Sequence, residues 1–250
     1  MLIVDADLYL YRCTAATEEE TDWGDDVWSL CTDLKIAKDL FSTQMSEFKA
    51  RLNDDDMILC LSSTTNFRKV IEPTYKWQRK KTRKPLGYAA MLDWVQHHYR
   101  TFQKPGLEAD DCMGILATKP DNIGKGIIVS DDKDMKTIPG RLYRPVSQEL
   151  FEVSEDAADT AFFTQCLVGD PADGYPGLKG YGPRTAAKTL GPLPTWQKVE
   201  QAYLKAGLTR QDALRQARLA RILRWSDWDS ENNKPILYEG DRHDKAAATT

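Results

Sequence analysis

Apolar residues follow two rhythms along this chain. Leu2–Val4, Met57–Leu61 and Gly126–Ser130 are short runs dominated by aliphatic side chains. Each is too brief for a helix and is bounded by polar or turn residues, so each predicts a buried strand. Between them the period changes. Leu34, Ala37, Leu40, Phe41, Met45, Phe48 and Leu52 recur at helical spacing, Leu8–Ala16 reads as a helix, and Leu86–Phe102 carries Met91, Val95 and Tyr99 on one face. The acidic stretch Thr17–Trp28 has no period and predicts a loop. Strands alternating with helices imply a mostly parallel, three-layer α/β sheet. From Glu155 onward strand signals nearly vanish and helical ones dominate. The expected organisation is an α/β domain over 1–154 with a basic segment at about 66–86, a smaller helical domain over 155–228, and a polar tail over 229–250. Within that tail only Ile236-Leu237-Tyr238 offers an apolar group for docking.

Composition narrows the class. No apolar run is long enough to span a membrane. The N-terminus lacks the basic region and cleavage site of a secretory signal, so a cytoplasmic location is expected. Five cysteines, Cys13, Cys31, Cys60, Cys112 and Cys166, are widely spaced without a Cys-x-x-Cys, and read as reduced, buried thiols. The net charge of −4 conceals two basic zones: Arg68–Lys84 carries +7 and Pro176–Trp225 carries +8. An acidic remainder between basic zones suits a protein that holds a polyanion and cuts it at metals.

The acids are placed for such chemistry. Asp5 follows the first strand. Glu108, Asp110 and Asp111 open a helix; Asp131, Asp132 and Asp134 follow the third strand; Asp170 and Asp173 flank Pro171-Ala172. In an open α/β sheet the crevice beyond the carboxyl ends of the strands is where ligands bind. Several negative charges gathered there need a cation or a proton. Hard divalent ions prefer oxygen ligands, which points to Mg²⁺ or Mn²⁺ and to a phosphate-bearing substrate. Helix capping alone would explain some of these acids, but not all of them. Asp131 is the one most readily assigned a structural role. Gly177-Leu178-Lys179-Gly180-Tyr181-Gly182-Pro183-Arg184, followed by Lys188, joins glycines to a helix start, a pattern that lets a backbone approach phosphate. Tyr75-Lys76-Trp77-Gln78-Arg79 interleaves aromatics with cations, as stacking on bases requires. Arg215, Arg218, Arg221 and Arg224 cover about half of a helix and fit a solvated face as well as a binding stripe. His97, His98 and His243 have no partners at metal-ligand spacing and read as surface residues.

In this order the motifs resemble the 5′-nuclease family, that is, flap endonucleases and the 5′→3′ exonuclease domains of DNA polymerases, and most of all the stand-alone bacteriophage 5′→3′ exonucleases. The resemblance runs from Leu2 to about Leu190. It implies a PIN-like α/β fold with a helix–three-turn–helix, and a nuclease acting near 5′ ends of duplex or branched DNA. It implies two Mg²⁺ or Mn²⁺ ions, one led by Asp5, Glu108, Asp110 and Asp111, the other by Asp132, Asp134, Asp170 and Asp173. Lys76 and Arg79 would act on the scissile phosphate from an arch, and Arg68, Tyr75, Gly177, Lys179, Gly180, Gly182, Arg184 and Lys188 would hold DNA. The resemblance leaves open RNA–DNA hybrids as substrates and a K⁺ ion in the helix–three-turn–helix. A monomer working in a host cytoplasm is the expected context. The chain departs from the family where Ser62-Ser63 replaces an Asp after the second strand, with Ser63 taken as the substituted position, and where Gly174 follows Asp173 in place of Asn. The rival reading, a nucleic-acid-binding protein with a decayed site, rests on those serines.

Overall fold

The computed structural model describes residues 1–240, apart from the side chains of Lys80 and Lys81. Its centre is a six-stranded sheet of β1 (Leu2–Asp5), β4 (Met57–Cys60), β5 (Thr101–Phe102), β6 (Ile127–Val129), β7 (Gly140–Arg144) and β8 (Glu149–Val153), in the spatial order β5-β4-β1-β6-β7-β8. All neighbours are parallel except β7 and β8, which form an antiparallel edge hairpin. Strands covered on both faces read as continuous apolar runs, which is why β1, β4 and β6 were legible. Leu2 and Val4 face one layer and Ile3 the other, and all three are fully buried. The carboxyl ends of β1, β4 and β6 converge on one edge, at Asp5, Ser62 and Ser130.

Helices α1 (Ala6–Ala16), α2 (Leu34–Leu52) and α4 (Tyr88–His98) cover the first face, with Phe41, Met45, Met91 and Val95 packed on Val4, Leu59 and Val129. Helix α5 (Ala109–Ala117) covers the other, setting Cys112, Met113 and Leu116 against Ile3, Ile58 and Ile128. Gly114 of α5 is needed for this packing, since an added Cβ would lie 2.3 Å from the carbonyl oxygen of Leu223. The predicted helix Leu86–Phe102 ends early: Tyr99 is already extended, and Thr101 and Phe102 pair with Leu59 and Cys60 as β5.

One predicted loop is a hairpin. Thr17–Trp28 contains β2 (Glu18–Asp22), which pairs antiparallel with β3 (Trp28–Thr32). Gly24, Asp25 and Asp26 adopt positive φ in its turn, a conformation Asp tolerates better than most residues. Both strands are almost wholly exposed, so no buried face imposes an alternating pattern. Cys31 lies on β3 and is exposed, which corrects the expectation that all five thiols are buried.

The remaining helices are α6 (Glu155–Val168), α7 (Pro183–Leu190), α8 (Trp196–Lys205) and α9 (Arg210–Ala220), with α3 (Arg68–Ile71) a short turn beside them. Phe162, Phe163, Leu167, Trp196, Tyr203, Leu214 and Ala217 form their core. Helix α6 also reaches the sheet, since Ala158 packs with the α5 layer. The segment read as a polar tail is folded as far as Gly240. The short strands β9 (Trp228–Asp229) and β10 (Lys234–Pro235) pair, and Tyr238 is buried edge-on to Phe162 and Trp196 with centroids 5.1 and 5.3 Å away. Residues 241–250, His243 among them, lie outside the described residues. Among the described residues no helix is long and apolar enough to cross a membrane.

Candidate active site

Asp5 closes β1 and caps α1: its Oδ1 accepts the Leu8 N–H at 3.3 Å, and its Oδ2 accepts the Ser130 hydroxyl at 3.4 Å. Burial, reinforced by the charges of Asp7 and Asp132, pushes its carboxyl up to about 7. Asp110, in the first turn of α5, is raised well above the carboxylate range by burial and then by Asp5. Glu108 caps the same helix. Burial would raise it, but Lys76 and Arg68 hold it at about 2. Asp5, Glu108 and Asp110 thus form one electrostatic group, joined by Asp132 from the neighbouring strand end.

The second group lies at the β6 end and on the turn after α6. Asp132 is exposed and its Oδ1 accepts the Asp134 N–H at 2.8 Å. Burial and then Asp132 raise Asp134 to about 6. The turn Asp170–Tyr175 carries the last two acids. Gly169 and Gly177 make it by packing backbone to backbone, each at positive φ and with no room for a Cβ (2.3 and 2.4 Å to the nearest atoms). Lys133 donates to Asp170 Oδ2 at 2.9 Å and lowers that carboxyl against the effect of burial. Arg79 donates to Asp173 Oδ1 at 2.5 Å.

Lys76 links the two groups. Its ammonium lies 2.6 Å from Glu108 Oε1 and 3.5 Å from Asp173 Oδ2, and its backbone N–H donates to the Asp173 carbonyl at 2.8 Å. The chain's own lysines and arginines thus offset part of the site's negative charge. Among the described residues no three His, Cys, Asp or Glu side chains converge closely enough to hold an ion as they stand.

Several expected site residues are placed elsewhere. Asp111 is fully buried and makes a two-pronged ion pair with Arg68, both bonds 2.7 Å, while its Oδ1 also accepts the Leu223 N–H. Its other oxygen, Oδ2, also accepts the Glu108 N–H at 3.2 Å, so both oxygens are engaged within the chain. Arg68 likewise cannot reach DNA: it is 2% exposed and also donates to the carbonyls of Leu219 and Arg221, tying the end of α9 to α5. Tyr75 is 3% exposed and donates its hydroxyl to Glu108 at 3.0 Å, so its ring is not a stacking surface. Gly177 has already given its N–H to Gln216 Oε1. By contrast Lys179, Gly180, Arg184 and Lys188 are exposed, and Gly182 caps α7 with Pro183 at its first position. Of the arginine row only Arg215 is exposed, 3.4 Å from Asp212; the rest is neither stripe nor solvated face. Arg218 donates to the Tyr238 carbonyl, Arg221 is buried on Asp227, and Arg224 binds Asp159 and the Thr137 carbonyl.

Two further groups belong to the site. Asp7 accepts the Ser62 N–H at 3.0 Å and the Tyr88 hydroxyl at 3.2 Å, and is the strongest neighbouring charge on Asp5. Its signal was the Asp-x-Asp spacing after the first strand. Ser62, not Ser63, borders the first group, because its hydroxyl accepts the Ala109 N–H at the start of α5. Asp131 is structural as expected, accepting the Val146 N–H.

Fold and site together define a nuclease of the acidic sheet-end kind, and comparison with known proteins gives the family. Residues 1–155 match the family model for the 5′–3′ exonuclease N-terminal, resolvase-like domain, and the chain belongs to that family. It is 28% identical to the exonuclease of Escherichia phage T7, over 95% of this chain and 93% of the phage protein. It is 30% identical to the flap endonuclease Xni of Shewanella baltica over 78% of this chain and 76% of that protein. The fold is that of phage T5 5′-exonuclease, solved with bound zinc, at a TM-score of 0.67 and 14% identity over 88% of each chain.

Proposed function

We propose that the chain is a divalent-metal-dependent 5′ nuclease, hydrolysing phosphodiester bonds near the 5′ ends of duplex or branched DNA and of RNA–DNA hybrids. One observation carries the metal reading. Among the described residues, Asp5, Asp7, Glu108, Asp110, Asp132, Asp134, Asp170 and Asp173 outnumber the basic groups that meet them, namely Lys76, Arg79, Lys133 and an Arg68 already shared with Asp111. That excess charge, sited at the strand ends and made entirely of carboxylate oxygen, fits Mg²⁺ or Mn²⁺. We assign one ion to each group, with retained water completing a coordination that the carboxylates as they stand do not close. The first would be held by Asp5, Glu108 and Asp110, the second by Asp132, Asp134, Asp170 and Asp173. Bound there, such ions lower the pKa of water and stabilise charge on attacking and leaving oxygens.

The chain's own part follows from its contacts. Asp7 and Ser130 hold the Asp5 region, Tyr75 orients Glu108, and Lys133 steadies Asp170. Lys76 and Arg79 rest on Glu108 and Asp173, within the site, and would transfer those charge-assisted contacts to the scissile phosphate. The exposed Lys179 and Arg184 around the α7 N-terminus, with Lys188 in its last turn, would grip the duplex backbone. Gly180, at φ 83 with open space around it, marks the turn whose carbonyls would hold a K⁺ ion. The retained acids favour catalysis over a decayed site. We further propose that it acts as a monomer in a host cytoplasm. The test is cleavage of 5′-labelled blunt, flapped and hybrid duplexes with Mg²⁺ and with a chelator. Release of 5′-end products only with Mg²⁺ is expected; chelator-insensitive cleavage, or none on any substrate, contradicts the reading.

A further inference from the structure

Gln165 sits in the last turn of α6, just before the turn that carries Asp170 and Asp173. Its amide Nε2 donates to Asp134 Oδ1 at 2.6 Å. The reversed amide would set its oxygen against a carboxylate, so the charge of Asp134 dictates this orientation. Its own Oε1 is buried and has no hydrogen-bond partner. A buried acceptor left unpaired is unfavourable and calls for a donor that belongs there. The backbone from which this side chain projects is anchored. The Gln165 carbonyl accepts the Gly169 N–H at 2.7 Å, and Gly169 is locked against the backbone of Gly177.

Asp134 is held differently from its neighbours. Asp170 and Asp173 are met by Lys133, Arg79 and Lys76, each of which cancels charge. The amide of Gln165 fixes Asp134 without itself carrying a charge, and among the described residues Asp134 makes no ion pair. Among the described residues no hydrogen bond engages Asp134 Oδ2. We propose that Gln165 is a positioning residue for divalent metal at the second carboxylate group: its N–H fixes Asp134 Oδ1, and its Oε1 serves as an acceptor for the hydration shell that a hard ion retains. Partners of this kind orient the ligand, and their loss typically weakens metal binding about 10–100-fold. This role rests on reading those carboxylates as a metal site.

The test is Mn²⁺ titration of the DNA-free protein by electron paramagnetic resonance, for wild type, Gln165→Leu, Gln165→Met and Asp134→Asn. Circular dichroism and duplex affinity in Ca²⁺ serve as controls. Both Gln165 variants are expected to bind Mn²⁺ about 10–100-fold more weakly with unchanged duplex affinity, and to regain cleavage at high Mn²⁺. The Met variant, which keeps the side-chain length, decides the matter if Leu disturbs the fold. Wild-type Mn²⁺ affinity in the folded Gln165 variants, alongside a loss in Asp134→Asn, overturns the positioning role alone. Wild-type affinity in Asp134→Asn as well overturns the metal reading on which it rests. Weakened duplex affinity with unchanged Mn²⁺ binding would make Gln165 a DNA contact and also overturn the proposal.

Discussion

Lys76 is the residue on which the two carboxylate groups meet. It has a left-handed backbone at φ 53, uncommon for a residue with a side chain, and its ammonium lies between Glu108 and Asp173. Such strain persists where surroundings enforce it, often at functional sites. If Lys76 neutralises charge that develops on the phosphate, Lys76→Ala lowers single-turnover cleavage about 10²–10³-fold while affinity changes little. A fall in affinity with saturated turnover intact would leave it a DNA anchor only. Asp111 gives the opposite kind of prediction. It neutralises a buried arginine, so Asp111→Asn should cost about 3–5 kcal/mol of stability in urea denaturation by removing the two-pronged partner of a buried Arg68 and leaving it only the longer contact to Glu108. Its divalent-ion affinity should remain that of wild type. A stable variant that binds metal weakly would restore Asp111 to the ligand set.

At the scale of elements, what was legible followed burial. The three central strands and the helices over them carry strong periods because each has a dry face. The β2–β3 hairpin, the short β5 and the β7–β8 edge hairpin were missed, the first because both its faces are wet, the second because its two residues are defined only by their partners on β4, and the third because most of its residues are partly exposed and mixed with charges. Asp5, Asp132 and Asp134 were legible because they follow strand ends, and Glu108, Asp110, Asp170 and Asp173 because they cluster in short acidic runs. The fates of Asp111, Arg68 and Tyr75 were not, since they depend on contacts with α9 and α5 that are distant in sequence. Helix α7 remains to be tested as the duplex grip. Its exposed Lys188 lies in the last turn, nearly two turns from the cap at Gly182. Each phosphate neutralised adds roughly −0.9 to the slope of log affinity against log salt. Lys188→Ala should make that slope shallower by about one unit, equally for unrelated sequences, when binding is measured in Ca²⁺. An unchanged slope would make α7 a structural connection.

Across the whole molecule the uncompensated acids couple stability to pH and metal. Burial and like charges raise Asp5 to about 7 and Asp134 to about 6 from the ordinary 3.8. Between those values the folded state holds more protons than the unfolded one. Stability of the metal-free protein therefore falls as pH rises through this window. Thermal unfolding should show Tm declining from acidic to mildly alkaline pH without metal, and Mg²⁺ should reverse the decline most strongly at the alkaline end. A Tm that rises with pH in the absence of metal would contradict these shifts. The central claim, that the gathered carboxylates act through divalent ions, is tested most directly at Asp132. It is exposed, so its replacement spares the core, and it touches both groups through Asp5 and Asp134. The measurement is single-turnover cleavage of a 5′-labelled duplex by Asp132→Asn in Mg²⁺, with duplex affinity recorded in Ca²⁺. Loss of cleavage with near wild-type affinity is predicted; wild-type cleavage by this variant would contradict the account.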